Sequence, residues 1–158
     1  MKALVIGGGG FVGPYLVRHL TDDCGYEVTV TKTEKEQLVM DNAVVKNLDI
    51  LDIGQIVGLL KAEQPDYIFH LAAQSSVAYS WKNPTLTIDV NIKGCVNLLD
   101  AVRQLDKKPR VLLIGSGEEY GHVRLLKIIQ FVQVIYMPLQ RHARICWERY
   151  ILMLMALI

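Results

Sequence analysis

Gly7, Gly10 and Gly13 form G-x-x-G-x-x-G directly after the apolar run Ala3–Ile6 and at the start of a segment with helical apolar spacing, Phe11–Leu20. Glycines placed this way permit a tight turn, a close backbone approach to a pyrophosphate and tight packing of a helix on a strand. The chemistry implied is dinucleotide binding. A second polar group stands far along the chain, where Ser116, Glu118 and Tyr120 follow the apolar run Arg110–Ile114. Polar side chains just past a buried strand read as a catalytic rim. Between them lies TVTKTEKE, a strand end with no acidic residue at its tip to meet a ribose hydroxyl. Lys32 suits a 2'-phosphate there, which modestly favours NADP over NAD. The alternative for Lys32 is a solvated surface lysine.

The elements that must position these residues alternate regularly. Strands are expected at Ala3–Ile6, Glu27–Val30, Ala43–Leu48, Tyr67–Leu71 and Arg110–Ile114. Helices are expected at Phe11–Leu20 and Ile53–Ala62, with a long one at Thr85–Leu105 behind Pro84. Strands alternating with crossover helices predict an α/β fold with a parallel sheet covered on both faces. The expectation is a Rossmann-type doubly wound sheet of strand order 3-2-1-4-5, incomplete at the C-terminus, with the glycine turn at the switch point. Residues 1–123 make up this domain.

Composition narrows the partners. The chain has 158 residues, 51% hydrophobic and 21% charged, with a formal charge of +1, so no field argues for nucleic acid or an anionic membrane. Its 3 cysteines, Cys24, Cys95 and Cys146, lack metal-ligand spacing and suit free thiols in a reducing compartment, so a cytoplasmic protein without a bound metal is expected. Four glycines break the N-terminal apolar run, which makes it a poor signal-peptide core, and no stretch is long enough for a membrane span.

The glycine spacing, Asp49 and Ile50 in LDI, and HLAA at His70–Ala73 together resemble the extended short-chain dehydrogenases. Further segments, AAQSSVAYSWKNP, VNIKG, NLLDAVR and IGSGEEYG, resemble the nucleotide-sugar branch of that family, nearest to reductases of GDP-4-keto-6-deoxymannose and next to GDP-mannose 4,6-dehydratases. The resemblance implies that Gly7, Gly10, Phe11, Val12 and Gly13 hold the pyrophosphate. It places Asp49 and Ile50 beside the adenine and Leu71, Ala72 and Ala73 on the nicotinamide side. Ser116 becomes the catalytic hydroxyl, and Glu118 would assist water elimination in a dehydratase. Ser75 and Ser76 either face the GDP-sugar or cap the next segment. His70, alone beside a buried strand, reads as structural. Relatives pair through two long helices, of which 85–105 would supply one, so a homodimer is expected.

One family feature is missing. In Y-x-x-x-K the tyrosine protonates the substrate oxygen and the lysine lowers the tyrosine pKa. None of the 7 tyrosines here has lysine four positions on; Tyr136 is followed by Gln140. From Arg124 the chain turns apolar and basic and ends YILMLMALI, and no substrate domain is expected in it. Rereading residues 124–158 from the third base of each codon forces alanine across Met137 and Pro138, and glycine across both Trp147 and Glu148 and Met155 and Ala156. It also permits Y-A-x-S-K from Tyr136 to Arg141. The expectation is an out-of-register tail on a chain that is itself inactive; the alternative is a diverged C-terminus, a strand at 125–136 and a helix at 139–157, on a non-catalytic dinucleotide-binding module.

Overall fold

A computed structural model describes residues 1–115. Its 5 strands run β1 (Lys2–Ile6), β2 (Glu27–Lys32), β3 (Val44–Asn47), β4 (Tyr67–His70) and β5 (Arg110–Leu113). They form one sheet, all neighbours parallel, in the order β3-β2-β1-β4-β5. The chain leaves β1 toward one edge and returns at β4 toward the other, so the switch point lies between β1 and β4. The glycine turn follows β1 at its carboxyl end.

The strands are short and apolar because both faces are covered. Along β1, Ala3 and Val5 face one cluster with Val17, Leu20, Val28 and Val30, while Leu4 and Ile6 face the other with Ile56, Leu60, Ile68, Leu98 and Ala101. This is the two-residue alternation of a strand in a sheet buried on both sides. Leu4, Leu60, Ile68 and Leu98 are fully enclosed. Each such side chain stabilises by about 1.5–3 kcal/mol relative to exposure.

The helices are α1 (Gly13–Arg18), α2 (Ile53–Glu63), α3 (Val77–Lys82), α4 (Pro84–Ile88) and α5 (Gly94–Arg103). A π-helical turn, His19–Asp23, follows α1, and another, Asp89–Lys93, lies between α4 and α5. The region expected as one long helix at 85–105 is therefore helical from Pro84 to Arg103 but interrupted in pitch. Helix α3 was not expected: its six residues are too few for a periodic stripe, and Ser76 starts it while Asn83 before Pro84 stops it. Asp52 caps α2, its Oδ1 accepting from Gln55 N–H at 3.1 Å. Beyond α2, Gln64 takes φ +47° and Pro65 follows.

Polar joints fasten the sheet to its helices. At the end of α2, Glu63 accepts from Thr29 Oγ1 at 2.8 Å and pairs with Lys46, joining the helix to β2 and β3. The Lys46 hydrogen bond holds the Glu63 carboxyl below its usual range. At the start of β4, Asp66 accepts from the Lys2 N–H at 2.9 Å and from Lys107 at 2.5 Å, which lowers its carboxyl likewise, the Lys107 bond contributing most. The described residues divide into two compact units, one of residues 1–73 and 97–114, the other taking in 74–96.

Candidate dinucleotide site

The glycine turn explains its own composition. Gly7 has φ +78°, and a Cβ there would stand 2.6 Å from Ala72 Cα and N, so both its backbone angle and its space demand glycine. A Cβ on Gly13 would stand 1.9 Å from the Gly8 carbonyl oxygen. Gly10 differs: its Cβ would meet only the Gly7 carbonyl oxygen, at 3.8 Å, so nothing among the described residues requires glycine there. Space beside Gly10 is what a closely approaching ligand needs. Gly8, which the spacing pattern did not single out, is also obligatory, since a Cβ would lie 2.3 Å from Val30 Cγ1.

Two strands hold the turn in place. Gly7 N–H donates to Thr31 Oγ1 at 3.2 Å and Gly8 N–H to the Thr31 carbonyl at 3.0 Å. Thr31 is buried at the end of β2 and was missed by motif reasoning, because only the tertiary pairing of β1 with β2 brings it under the turn. From the other side, the Leu71 and Ala72 N–H groups both donate to the Ile6 carbonyl at 2.9 Å. Among the described residues, the N–H groups of Gly9, Gly10, Phe11 and Val12 make no hydrogen bond. Consecutive unpaired backbone N–H groups of this kind are suited to an anion. Phe11 and Val12 are exposed, and the Phe11 ring lies 5.7 Å from that of Tyr15.

The other expected residues lie along the carboxyl edges of the strands. Asp49 and Ile50 follow β3; Asp49 Oδ1 accepts from Leu51 N–H at 2.9 Å, and Ile50 packs on the core. Asn97, which motif reasoning passed over, donates to the Ile50 and Leu51 carbonyls at 3.0 and 3.2 Å and pins this loop. Leu71 and Ala72 are half-buried against opposite core clusters, and Ala73 follows them. Lys32 ends β2 with its Nζ on the Thr33 carbonyl at 3.3 Å. His70 is fully buried in β4, where a structural histidine belongs.

In the second unit, Ser76 Oγ accepts from Tyr79 N–H at 3.3 Å and caps α3, while Ser75 is exposed. Asn91, in the π-helical turn, is fully buried and grips the Gln74 backbone at both ends, its Oδ1 accepting at 2.7 Å and its Nδ2 donating at 3.0 Å. A π turn is the kind of helix irregularity that often accompanies function. Its only trace in the sequence is an asparagine among apolar helix residues. Ser116, Glu118 and Tyr120, the absent Y-x-x-x-K region and the whole of 124–158 lie outside the described residues. Among the described residues no group of His, Cys, Asp or Glu is arranged to hold a metal ion, and no helix is long and apolar enough to cross a membrane.

A parallel sheet of this order, with a glycine cradle at its switch point, defines a Rossmann-type dinucleotide-binding domain. Residues 4–132 match the family model described as GDP-mannose 4,6 dehydratase, and the chain belongs to that family. The GDP-mannose 4,6-dehydratase of Yersinia enterocolitica is 33% identical over 139 residues, covering 78% of this chain and 37% of that protein. The dTDP-glucose 4,6-dehydratase 1 of Escherichia coli K12 is 33% identical over 138 residues, covering 77% and 38%. Among solved structures, the Thermus thermophilus UDP-glucose 4-epimerase in complex with NAD superposes with a TM-score of 0.82 at 27% identity, over 95% of this chain and 50% of that one. The chain thus spans about two-fifths of the length of these curated relatives.

Proposed function

We propose that residues 1–123 are the dinucleotide-binding part of a nucleotide-sugar oxidoreductase. The observation that carries the reading is the glycine turn, with four N–H groups that make no hydrogen bond among the described residues, beside Gly10, whose Cβ would meet only the Gly7 carbonyl oxygen at 3.8 Å. A nicotinamide dinucleotide supplies hydride transfer when bound. Gly7 to Gly13 would take its pyrophosphate, the Asp49–Ile50 loop its adenine side, and Leu71–Ala73 its nicotinamide side. The nucleotide-sugar reading is supported by the relatives, whose names are those of dehydratases and epimerases of nucleotide sugars.

Two substrate readings divide on particular observations. The segments AAQSSVAYSWKNP, VNIKG, NLLDAVR and IGSGEEYG support a reductase acting on the 4-keto group of a GDP-6-deoxyhexose. The family model and the Yersinia relative favour a GDP-mannose 4,6-dehydratase, with Glu118 assisting water elimination. In either case Ser116 would bind the substrate oxygen, with Ser75 and Ser76 nearer the sugar. Turnover by this chain is expected to be low, since no tyrosine is followed by lysine at the fourth position. A positioned general acid is worth about 10²- to 10⁴-fold. Residues 124–158 are proposed to be translated out of register, and pairing through 85–105 to give a homodimer.

The experiment is an assay of the purified chain with NADH or NADPH and GDP-4-keto-6-deoxymannose, and separately with NAD+ or NADP+ and GDP-mannose. Turnover is expected to lie at least about 100-fold below that of a relative carrying Y-x-x-x-K. Comparable turnover on either substrate would show that another group donates the proton.

A further inference from the structure

Away from the glycine turn, one cluster brings together a thiol, an imidazole and a carboxylate. It stands on the π-helical turn His19–Asp23, which the Cys24 N–H closes by donating to the His19 carbonyl at 3.1 Å. In an α-helix of 3.6 residues per turn, residue i+5 lies about 140° round from residue i. The wider π turn, with its bond from i to i+5, returns i+5 to the side of i and keeps i+4 there too. His19 therefore meets two partners: its Nδ1 lies 2.7 Å from Asp23 Oδ2 and its Nε2 3.7 Å from Cys24 Sγ. These contacts place the proton. A carboxylate only accepts, so Nδ1 carries the hydrogen and donates to Asp23, and the neutral ring turns the lone pair of Nε2 to the thiol. The stretch HLTDDC carries no such signal in the sequence, because only the π pitch puts positions 19 and 24 on one side.

The cluster is open to a reactant. Cys24 is a free, exposed thiol, the side chains of His19 and Asp23 are 62% and 69% exposed, and a Cβ built on Gly25 would meet no described atom within 4 Å. Cys95, in α5, is buried instead. We propose that Cys24 is a site of thiol–disulfide exchange, with His19 as its base and low-molecular-mass disulfides as its reactants. The thiolate is the nucleophile in such an exchange, so a base within reach of the sulfur decides the rate. His19 Nε2 takes the thiol proton, and Sγ attacks one sulfur of the disulfide, forming a new S–S bond as the old one breaks. The released half leaves as a thiolate and takes the proton back from the imidazolium. Cys24 ends oxidised in a mixed disulfide and the released half ends reduced as a thiol, so atoms and electrons balance without a cofactor. Asp23 is a positioning residue that holds the ring in one tautomer. None of this depends on the dinucleotide reading of the glycine turn.

The test treats the full 158-residue chain, reduced and desalted, with oxidised glutathione, and follows each cysteine by mass spectrometry of its proteolytic peptide. In folded wild type, Cys24 is expected to form its adduct at least about tenfold faster than in the same chain held in concentrated urea. Cys95 reports folding, since it is buried until urea exposes it. His19→Gln should slow the folded chain at Cys24 by at least about tenfold. Asp23→Asn should slow it by a smaller factor, about threefold, as suits an exposed pair. The ring nitrogen NMR shifts of His19 should show the Nδ1–H tautomer in wild type and its loss in Asp23→Asn. Cys24 reacting no faster in the folded chain than in urea, a rate indifferent to His19→Gln in a folded variant, or a His19 tautomer indifferent to Asp23→Asn overturns the assignment. The wild-type comparison with urea decides by itself should a variant fail to fold.

Discussion

Glycines that look alike in the motif do different work. Gly13 faces the Gly8 carbonyl so closely that any Cβ must displace backbone, whereas Gly10 borders open space. Gly13→Ala should therefore destabilise the fold by about 1–3 kcal/mol, as overpacking does. Gly10→Ala should change stability by less than about 0.5 kcal/mol and yet weaken dinucleotide binding. Thermal melts alongside titrations separate the two, and equal losses of stability would contradict the distinction. Thr31 is a similar case. Thr31→Val keeps the shape but leaves the Gly7 N–H without its acceptor, at a cost of about 1 kcal/mol, and loosens the turn that presents the free donors. A melt unchanged from wild type would show that the bond contributes nothing.

The elements were legible where burial dictates composition. Strands covered on both faces must be apolar runs, so Ala3–Ile6 and Tyr67–Leu71 announced themselves, and the parallel order followed from the helices between them. Illegible were features set by contacts distant in sequence: Thr31 under Gly7, Glu36 over Gly9, Asn97 pinning residues 50 and 51, and the π turns that alter helix pitch without altering apolar spacing. The joint at Glu63 belongs to the same class. Its folded pKa is lowered, so the stability it contributes is fully present above the ordinary glutamate value and is lost as pH falls through the lower, folded one. Glu63→Gln should thus cost about 1 kcal/mol at neutral pH. That difference from wild type should hold above about pH 5 and shrink below about pH 4. Urea melts across that range check it; a difference that grows on acidification would reverse the sign of the shift.

At the scale of the whole molecule, one half-site is built and the other is not in view. The glycine turn, the Asp49 loop and Leu71–Ala73 come from three strand ends of one sheet, so parallel pairing alone aligns them. The hydroxyl and acid at Ser116 and Glu118 lie beyond the described residues, and the tyrosine–lysine pair is absent from the sequence. The account therefore separates binding from turnover: this chain should hold a nicotinamide dinucleotide and use it poorly. Titration of NADH into purified wild type and Gly10→Ala, followed by calorimetry, tests this most directly. The prediction is saturable binding to wild type at one site per chain, weakened at least about tenfold in a Gly10→Ala variant whose melting temperature is unchanged. Absence of binding to the folded wild-type chain, or binding indifferent to Gly10→Ala, would contradict it.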